Sequence, residues 1–481
     1  MQQKYFWKSL IGCSVNGLTE GNNNICIFLV CFTVAPQLCS ARYSLALLMF
    51  FGFAVEYGLR VNLSVAMVAM VNDTESHQSL NRSTGPRYPW SLETQGMLLG
   101  AFYFGKMVTL IPGGYLAGRF GGRIFLGGGV LGTAALTLLT PLAAQLGVSW
   151  LFALRVFEGF GEGVMLPAMI TMWARWAPPL ERSRLMTISG AGANFGAFVA
   201  FPVTGVICES LGWPAVFYIF GAGCLWAVFW FVLVSDEPRT HPRISEPEKN
   251  YIINSIGSQE SAHGWSIPLV SMMFSVPLWA IIICQMCSNT LQTSLPTYMD
   301  TIGFDLGGGS ETDEISFLSA LPYLGAWLFS VLSGVVADHL LEREVMSVTA
   351  VRKIFTLAGH VLPAAFLVAV GYTRCSSALA VTCLTLSTTI RGTSKAGVFI
   401  NQIDIAPRYA GFLLGITNTF GTIPGILSPI AHSLAGWRNV FLLSAGVSVF
   451  GALFFLALGS GKIQWWAVEE ELINDEEKME R

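Results

Sequence analysis

Apolar residues along the chain gather into runs of about twenty, the length a helix needs to cross the hydrocarbon core of a bilayer, and short polar stretches separate the runs. Twelve runs qualify or nearly do, beginning near Leu45, Gln95, Arg123, Trp150, Leu185, Pro214, Ile267, Ile315, Ile354, Ala378, Tyr409 and Asn439. The pattern predicts an all-α membrane protein of twelve transmembrane helices.

The runs also repeat. "SLGWPAVFYIFGAG" around Trp213 recurs as "SLAGWRNVFLLSAG" around Trp437, "NFGAF" from Asn194 resembles "TFGTI" from Thr419, and "GGYLAGR" from Gly113 resembles "SGVVADH" from Ser333. The offsets cluster between 220 and 225 residues, which predicts two six-helix halves in the same orientation, a parallel repeat with its substrate site between the halves. The expected divisions are an N-terminal extension over 1–41, a first bundle over 42–236, a linker over 237–264 containing "SDEPRTHPRISEPEKN", a second bundle over 265–459 and an acidic tail over 460–481.

Charge sets the orientation. If the first helix starts in the cytosol, cytosolic loops hold thirteen Arg and Lys residues, among them Arg42, Arg119, Arg123, Arg182, Arg184, Arg352 and Arg408, against Arg82, Arg87, Arg374 and Arg438 on the other side. By the positive-inside rule both termini are then cytosolic. Two glycosylation sequons, at Asn72 and Asn81, fall in the first loop on the far side, where modification is physically possible. The apolar stretch "NICIFLVCFTVA" is too short to span and reads as an uncleaved extension.

Composition agrees. Hydrophobic residues make up 53% of the 481 and charged ones 12%, with a mean hydropathy of +0.57, whereas an ordinary soluble domain carries about 25% charged residues. A net charge of −3 with no basic field excludes a nucleic-acid partner. The ten cysteines show no Cys/His spacing for zinc, so neither a metal nor another cofactor is expected. Walker, nucleophile-elbow and HExxH motifs are also lacking, which leaves an ATP-driven pump or a membrane hydrolase without support.

Candidate chemistry lies in the few charges inside apolar runs, because a charge at the bilayer centre costs at least about 2.5–3.5 kcal/mol and marks a functional path. In "RVFEGFGEG" of the fourth helix, Arg155, Glu158 and Glu162 stand at i, i+3 and i+7 on one face, with Gly159, Gly161 and Gly163 removing bulk beside them. Arg155 can simply neutralise Glu158, which leaves Glu162 without an obvious partner as a candidate proton carrier. On the first helix Arg60 offers a planar donor fork for a carboxylate or phosphate, and Glu56, one turn earlier, is within pairing distance of it. Lys106, Arg391 and Lys395 are further intramembrane cations, for which snorkelling, pairing and function stay open. His360 and His432 read as ordinary interface residues near helix ends.

The segments "CSARY…LRVNLSVAM", "IPGGYLAGRFGGR", "EGFGEGVMLPAM", "WAPPLERSRL", "SLPTYM", "FLSALPYLG" and "IDIAPRYAGFLLGITNTFGTIPG" resemble the organic-anion branch of the major facilitator superfamily. That branch holds lysosomal proton-coupled sialic acid exporters, vesicular glutamate transporters and type I phosphate transporters. The resemblance runs from about Cys39 to the last helix. It implies a secondary active transporter of small organic anions, most simply proton-coupled export of sialic acid or related acidic sugars across the lysosomal membrane. It also puts the branch's substrate-binding arginines on Arg60 and Arg155 and its proton-coupling glutamates on Glu158 and Glu162. Vesicular uptake of acidic amino acids, sodium-dependent phosphate or urate transport, and a synaptic-vesicle or plasma-membrane location are alternatives within it, and a non-transporting sensor descended from a carrier is one of another class. Glu56, Lys106, Ile170, Arg391, Lys395 and a seventh helix reading "CQMCSNTLQTSLPTYM" depart from the branch's pattern.

Overall fold

The computed structural model describes residues 40–71, 86–256, 268–290, 312–372 and 377–467. The sequons at Asn72 and Asn81 lie outside them. The first half consists of α1 (Ala41–Met70), α2 (Leu92–Phe120), α3 (Gly122–Leu138), a short α4 (Thr140–Leu146), α5 (Val148–Trp176), α6 (Arg182–Ser210), α7 (Trp213–Gly221) and α8 (Cys224–Leu233). After a linker helix α9 (Glu246–Ile256) come α10 (Leu269–Met273), α11 (Val276–Thr290), α12 (Thr312–Glu342), α13 (Val348–Val370), α14 (Ser377–Arg391), α15 (Asn401–Ile405) and α16 (Ala410–Leu458). No strand occurs among the described residues beyond an isolated bridge between Val71 and Tyr88.

Seven described helices are long and apolar enough to cross a membrane, and α3 with α4, bent by 48°, makes an eighth. The remaining expected crossings fall on α5 with its three charges, on the short α11 and α14, and on the first part of α16. That last helix runs 49 residues and would be about 74 Å long if straight. Its ends nevertheless meet: the Gln464 N–H donates to the Ile405 carbonyl at 2.9 Å, and the Tyr409 and Trp466 rings lie 6.4 Å apart. The chain therefore reverses within α16, which accommodates the two crossings expected from Tyr409 and Asn439. The expectation for His360 needs correction. It sits mid-way along α13, buried, with Nδ1 2.8 Å from the Thr356 carbonyl and Nε2 3.7 Å from Cys284 Sγ.

The repeat shows in how the halves touch. Gly114 on α2 lies so close to α16 that a Cβ would stand 2.5 Å from the Gly411 carbonyl oxygen, and Gly334 on α12 lies equally close to α6, against Thr187 and the Ser183 carbonyl. Gly334 is 220 residues beyond Gly114 and Gly411 is 224 beyond Thr187, so the two seams are one contact repeated with the halves exchanged. Larger side chains continue the α6–α12 seam: the Phe201 and Tyr323 rings stack at 5.5 Å, and Phe195 meets Trp327 at 5.4 Å.

Polar groups fasten the arginine-rich end. Arg352 on α13 binds Asp404 at 2.7 Å and donates to Ser183 of the first half at 3.2 Å, while Asp338 on α12 accepts the Arg184 N–H at 2.6 Å. The start of α1 is capped from the linker, since Ser40 makes no side-chain cap. Glu248 on α9 accepts the backbone N–H groups of Ala41 (3.0 Å) and Arg42 (3.3 Å) and the Arg42 Nε (3.0 Å), so an anion sits at a helix N-terminus. Burial opposes ionisation of Glu248, but these hydrogen bonds outweigh it and hold its carboxyl below the ordinary carboxylate range.

Two outcomes are expected. Gly114→Ala should lower the melting temperature of the detergent-solubilised protein by a few degrees, as overpacking costs about 1–3 kcal/mol, whereas Gly100→Ala, where a Cβ meets nothing within 4 Å, should not. Because Glu248 has a depressed folded pKa, its contribution is fully present above the unfolded value of about 4.3 and is lost as pH falls through the folded one. Glu248→Gln should therefore melt earlier than wild type at pH 7, and the gap should close in scans below pH ~4; a gap independent of pH would refute the capping role.

Candidate functional site

Glycine decides how close α5 comes to its neighbours. At Gly159 and Gly163 a Cβ would collide with α2, at the Phe102 carbonyl and at Thr109 with the Lys106 carbonyl, and at Gly161 with α3, at Thr133 and the Gly129 carbonyl. These glycines admit helices rather than a solute. The close approach brings charged residues of three helices together around the middle of α5, where Arg155, Glu158 and Glu162 are all at most 2% exposed.

The stripe divides into two charged units of different kinds. Arg155 Nη1 lies 2.6 Å from Glu158 Oε2 within the same helix, Thr137 of α3 donates to Glu158 Oε1 at 3.1 Å, and Arg155 Nη2 donates to the Arg60 carbonyl at 3.3 Å. This unit ties α5 to α1 and α3.

Glu162 is held from outside α5. Its Oε1 accepts both Arg60 Nη1 at 3.0 Å and Lys106 Nζ at 2.7 Å, while its buried Oε2 has no hydrogen-bond partner. Arg60 also donates through Nη2 to the Tyr103 hydroxyl at 2.5 Å and lies over the rings of Tyr57, Phe102 and Tyr103 at 5.2, 5.6 and 4.8 Å. Its side chain keeps 18% exposure, the most open of the group.

The structure thus rearranges the pairing expected from spacing. Arg60 turns to Glu162 and not to Glu56, because Glu162 arrives from α5 on the face where Tyr57 and Tyr103 already hold the guanidinium. Glu56 is buried at 1% exposure, and neither oxygen accepts a hydrogen bond; the Thr133 hydroxyl nearby donates instead to the Glu158 carbonyl at 3.3 Å. Glu162, which had no partner within its own helix, has two, 102 and 56 residues away in sequence. Sequence reasoning passed over Tyr103 and Thr137, since a tyrosine in "AFYFG" and a threonine in "AALTLLT" carry no distinguishing signal.

In the second half α14 ends at Arg391 and continues as a 3-10 turn over Gly392–Ala396. Arg391 is at the carbonyl end of the helix, where a cation is favoured, and donates to Ser288 of α11 at 3.3 Å. Lys395 lies over the Phe399 ring at 4.7 Å. No group of His, Cys, Asp and Glu able to hold a metal occurs among the described residues. Cys284 and Cys287 form a Cys-x-x-Cys spacing on α11 that the cysteine reading overlooked, and both thiols are buried and free.

Residues 45–429 match the model of the Major Facilitator Superfamily. Among curated relatives, sialin of Ovis aries is 48% identical, covering 91% of this chain and 92% of its own length, and sodium-dependent phosphate transport protein 3 of Mus musculus is 41% identical, covering 90% and 97%. Among solved structures the proton:xylose symporter bound to 6-bromo-6-deoxy-D-glucose superposes with a TM-score of 0.63 at 15% identity, covering 88% of this chain and 97% of that one, a likeness of fold. With the internal repeat, the crossed glycine seams and the buried charges of α5 all accounted for by one architecture, the chain belongs to the Major Facilitator Superfamily and is a multi-pass membrane protein.

Proposed function

We propose that the protein carries a small organic anion together with protons, most simply exporting sialic acid or a related acidic sugar from an acidic lysosomal lumen, with both termini in the cytosol. The observation that carries this reading is the sharing of one Glu162 oxygen between Arg60 and Lys106. While Glu162 is ionised it occupies both cations. A proton on Glu162 removes its claim on them and leaves the Arg60 fork for a substrate carboxylate, so proton and anion load together. Release of the proton on the cytosolic side restores Glu162 as the competitor and expels the anion. Arg155 with Glu158 serves as the fixed frame, since both charges of the pair stand on one helix and move together. Glu56, buried beside this centre, is the reserve proton site. Sialin and a sodium-dependent phosphate transport protein as relatives support an anionic substrate.

The test is uptake of labelled sialic acid, glutamate and phosphate into proteoliposomes under an imposed pH gradient. Sialic acid should accumulate with the gradient; sole transport of phosphate driven by sodium, or binding without flux, would defeat the reading. Glu162→Gln should abolish gradient-driven accumulation while exchange at equal pH survives, whereas Arg60→Lys should raise the half-saturating concentration on the order of tenfold by losing the planar fork. Glu158→Gln should instead lower folded protein yield, since leaving Arg155 unpaired costs about 3–5 kcal/mol. For the orientation, glycosidase treatment of protein from a eukaryotic host should remove a mass shift that disappears when Asn72 and Asn81 are both replaced, and a shift that persists in that double variant would mean that the loop or the topology is misassigned.

A further inference from the structure

Arg60 is held by more than its ion pair. One terminal nitrogen, Nη1, reaches Glu162 at 3.0 Å, and the other, Nη2, donates to the Tyr103 hydroxyl at 2.5 Å, so a glutamate of α5 and a tyrosine of α2 grip the two arms of one planar fork. The guanidinium also lies over the Tyr103 ring at 4.8 Å, and the Phe102 ring braces Tyr103 edge-on at 6.4 Å and 87°. Phe102 is itself fixed. It is buried, its ring takes the guanidiniums of both Arg60 and Arg155 at 5.6 and 5.7 Å, and its carbonyl oxygen packs on α5 so closely that a Cβ at Gly159 would lie 2.1 Å away. A hydroxyl that accepts from a guanidinium still has its own proton to give, and among the described residues no acceptor takes the one on Tyr103. Tyr103 and Arg60 are both only partly buried, unlike Glu158 and Glu162. Lys106 follows one turn later on α2 and reaches the same Glu162 oxygen as Arg60, so both polar side chains of that turn border the position where Arg60 receives a carboxylate.

We propose that Tyr103 is a substrate-binding residue, whose hydroxyl holds the Arg60 fork in place and donates its proton to the carboxylate that replaces Glu162 there. The proposal rests on the transport reading above and adds a directional, uncharged donor to its site. When Glu162 takes a proton, Arg60 keeps its Nη2 bond and its seat on the aromatic rings, and so stays where a substrate can meet it. An incoming carboxylate has two oxygens. One takes the Nη1 that Glu162 gives up, and the other accepts the Tyr103 O–H, a bond that a charged acceptor makes strong. Tyr103 therefore contributes twice, once by positioning the arginine and once by touching the load.

Tyr103→Phe tests this directly, because it removes the hydroxyl and leaves the ring with its packing and its cation–π contact. In proteoliposomes under the same pH gradient, the half-saturating concentration of sialic acid should rise on the order of tenfold, while the maximal rate stays within about twofold of wild type. In detergent, the ligand-free melting temperature should stay close to that of wild type, and the concentration of sialic acid needed to raise it should increase by the same factor. The loss should shrink to about twofold or less when Tyr103→Phe is introduced into Arg60→Lys, since an ammonium without the second arm does not fix the hydroxyl. Unchanged half-saturation in Tyr103→Phe, a lower ligand-free melting temperature with affinity intact, or an equal loss in both backgrounds overturns the assignment and leaves proton-coupled anion transport standing. Absence of both flux and a sialic-acid-induced melting shift in the wild type overturns the two together.

Discussion

A single buried carboxylate oxygen, Glu162 Oε1, is the point on which the centre of the molecule depends. It joins α5 to α1 through Arg60 and to α2 through Lys106, with N–O separations of 3.0 and 2.7 Å. Three formal charges in an apolar bundle are tolerable only while they satisfy one another, since removing either kind of partner strands the other in a medium that solvates it poorly. The pairing is also lopsided, two cations for one anion, with the second carboxylate oxygen unused. A structural clamp would be more stable with matched partners. An imbalance of this sort is suited to a site that must sometimes hold an additional anion.

The contrast with Arg155 and Glu158 sharpens the point. That pair is formed three residues apart in one helix, completed by Thr137, and fully enclosed. Rearranging the helices cannot separate the two charges, and only the bonds to Thr137 and to the Arg60 carbonyl cross to α3 and α1. Glu162, in contrast, meets its partners across helix boundaries, where small shifts of α1 or α2 lengthen an ion pair. The same nine residues thus contain a rigid unit and an adjustable one. The three glycines set α5 at the separation that lets both form, against α2 on one side and α3 on the other.

Much of this was legible in the chain. Apolar run length located the helices, because the bilayer sets a single length scale, and the starts expected near Gln95, Arg123, Trp150, Leu185 and Pro214 fall within three residues of helices that begin at Leu92, Gly122, Val148, Arg182 and Trp213. Helical spacing also put Arg155, Glu158 and Glu162 on one face. What spacing could not reveal was the partner of each charge. Glu56 and Arg60 satisfy the i, i+4 rule yet do not pair, because a side chain chooses among all helices packed around it, and the choice of Glu162 depends on tertiary packing across 102 residues. Lys106 was ambiguous for the same reason. Arg391 was equally open in the sequence, and the structure places it where α14 ends and a 3-10 turn begins.

That interruption at α14 has a physical consequence for the two halves. Backbone that leaves helical hydrogen bonding at membrane depth is tolerated only where protein or a water-lined cavity satisfies it. The 3-10 turn meets this condition by packing tightly on α12 and α13: a Cβ at Gly392 would lie 2.8 Å from the Ala326 carbonyl oxygen, and one at Gly359 2.6 Å from the Ser394 nitrogen. The repeat therefore supplies matched seams at Gly114 and Gly334 but unmatched interiors. The first half sets a carboxylate on the unbroken α5, and the second carries α14, which ends at Arg391 and continues as a 3-10 turn. The halves are therefore alike where they meet and different inside, the first holding the Glu162 ion pairs and the second the helix end at Arg391, so the repeat conserves the packing of the interface while leaving each interior free to carry different chemistry.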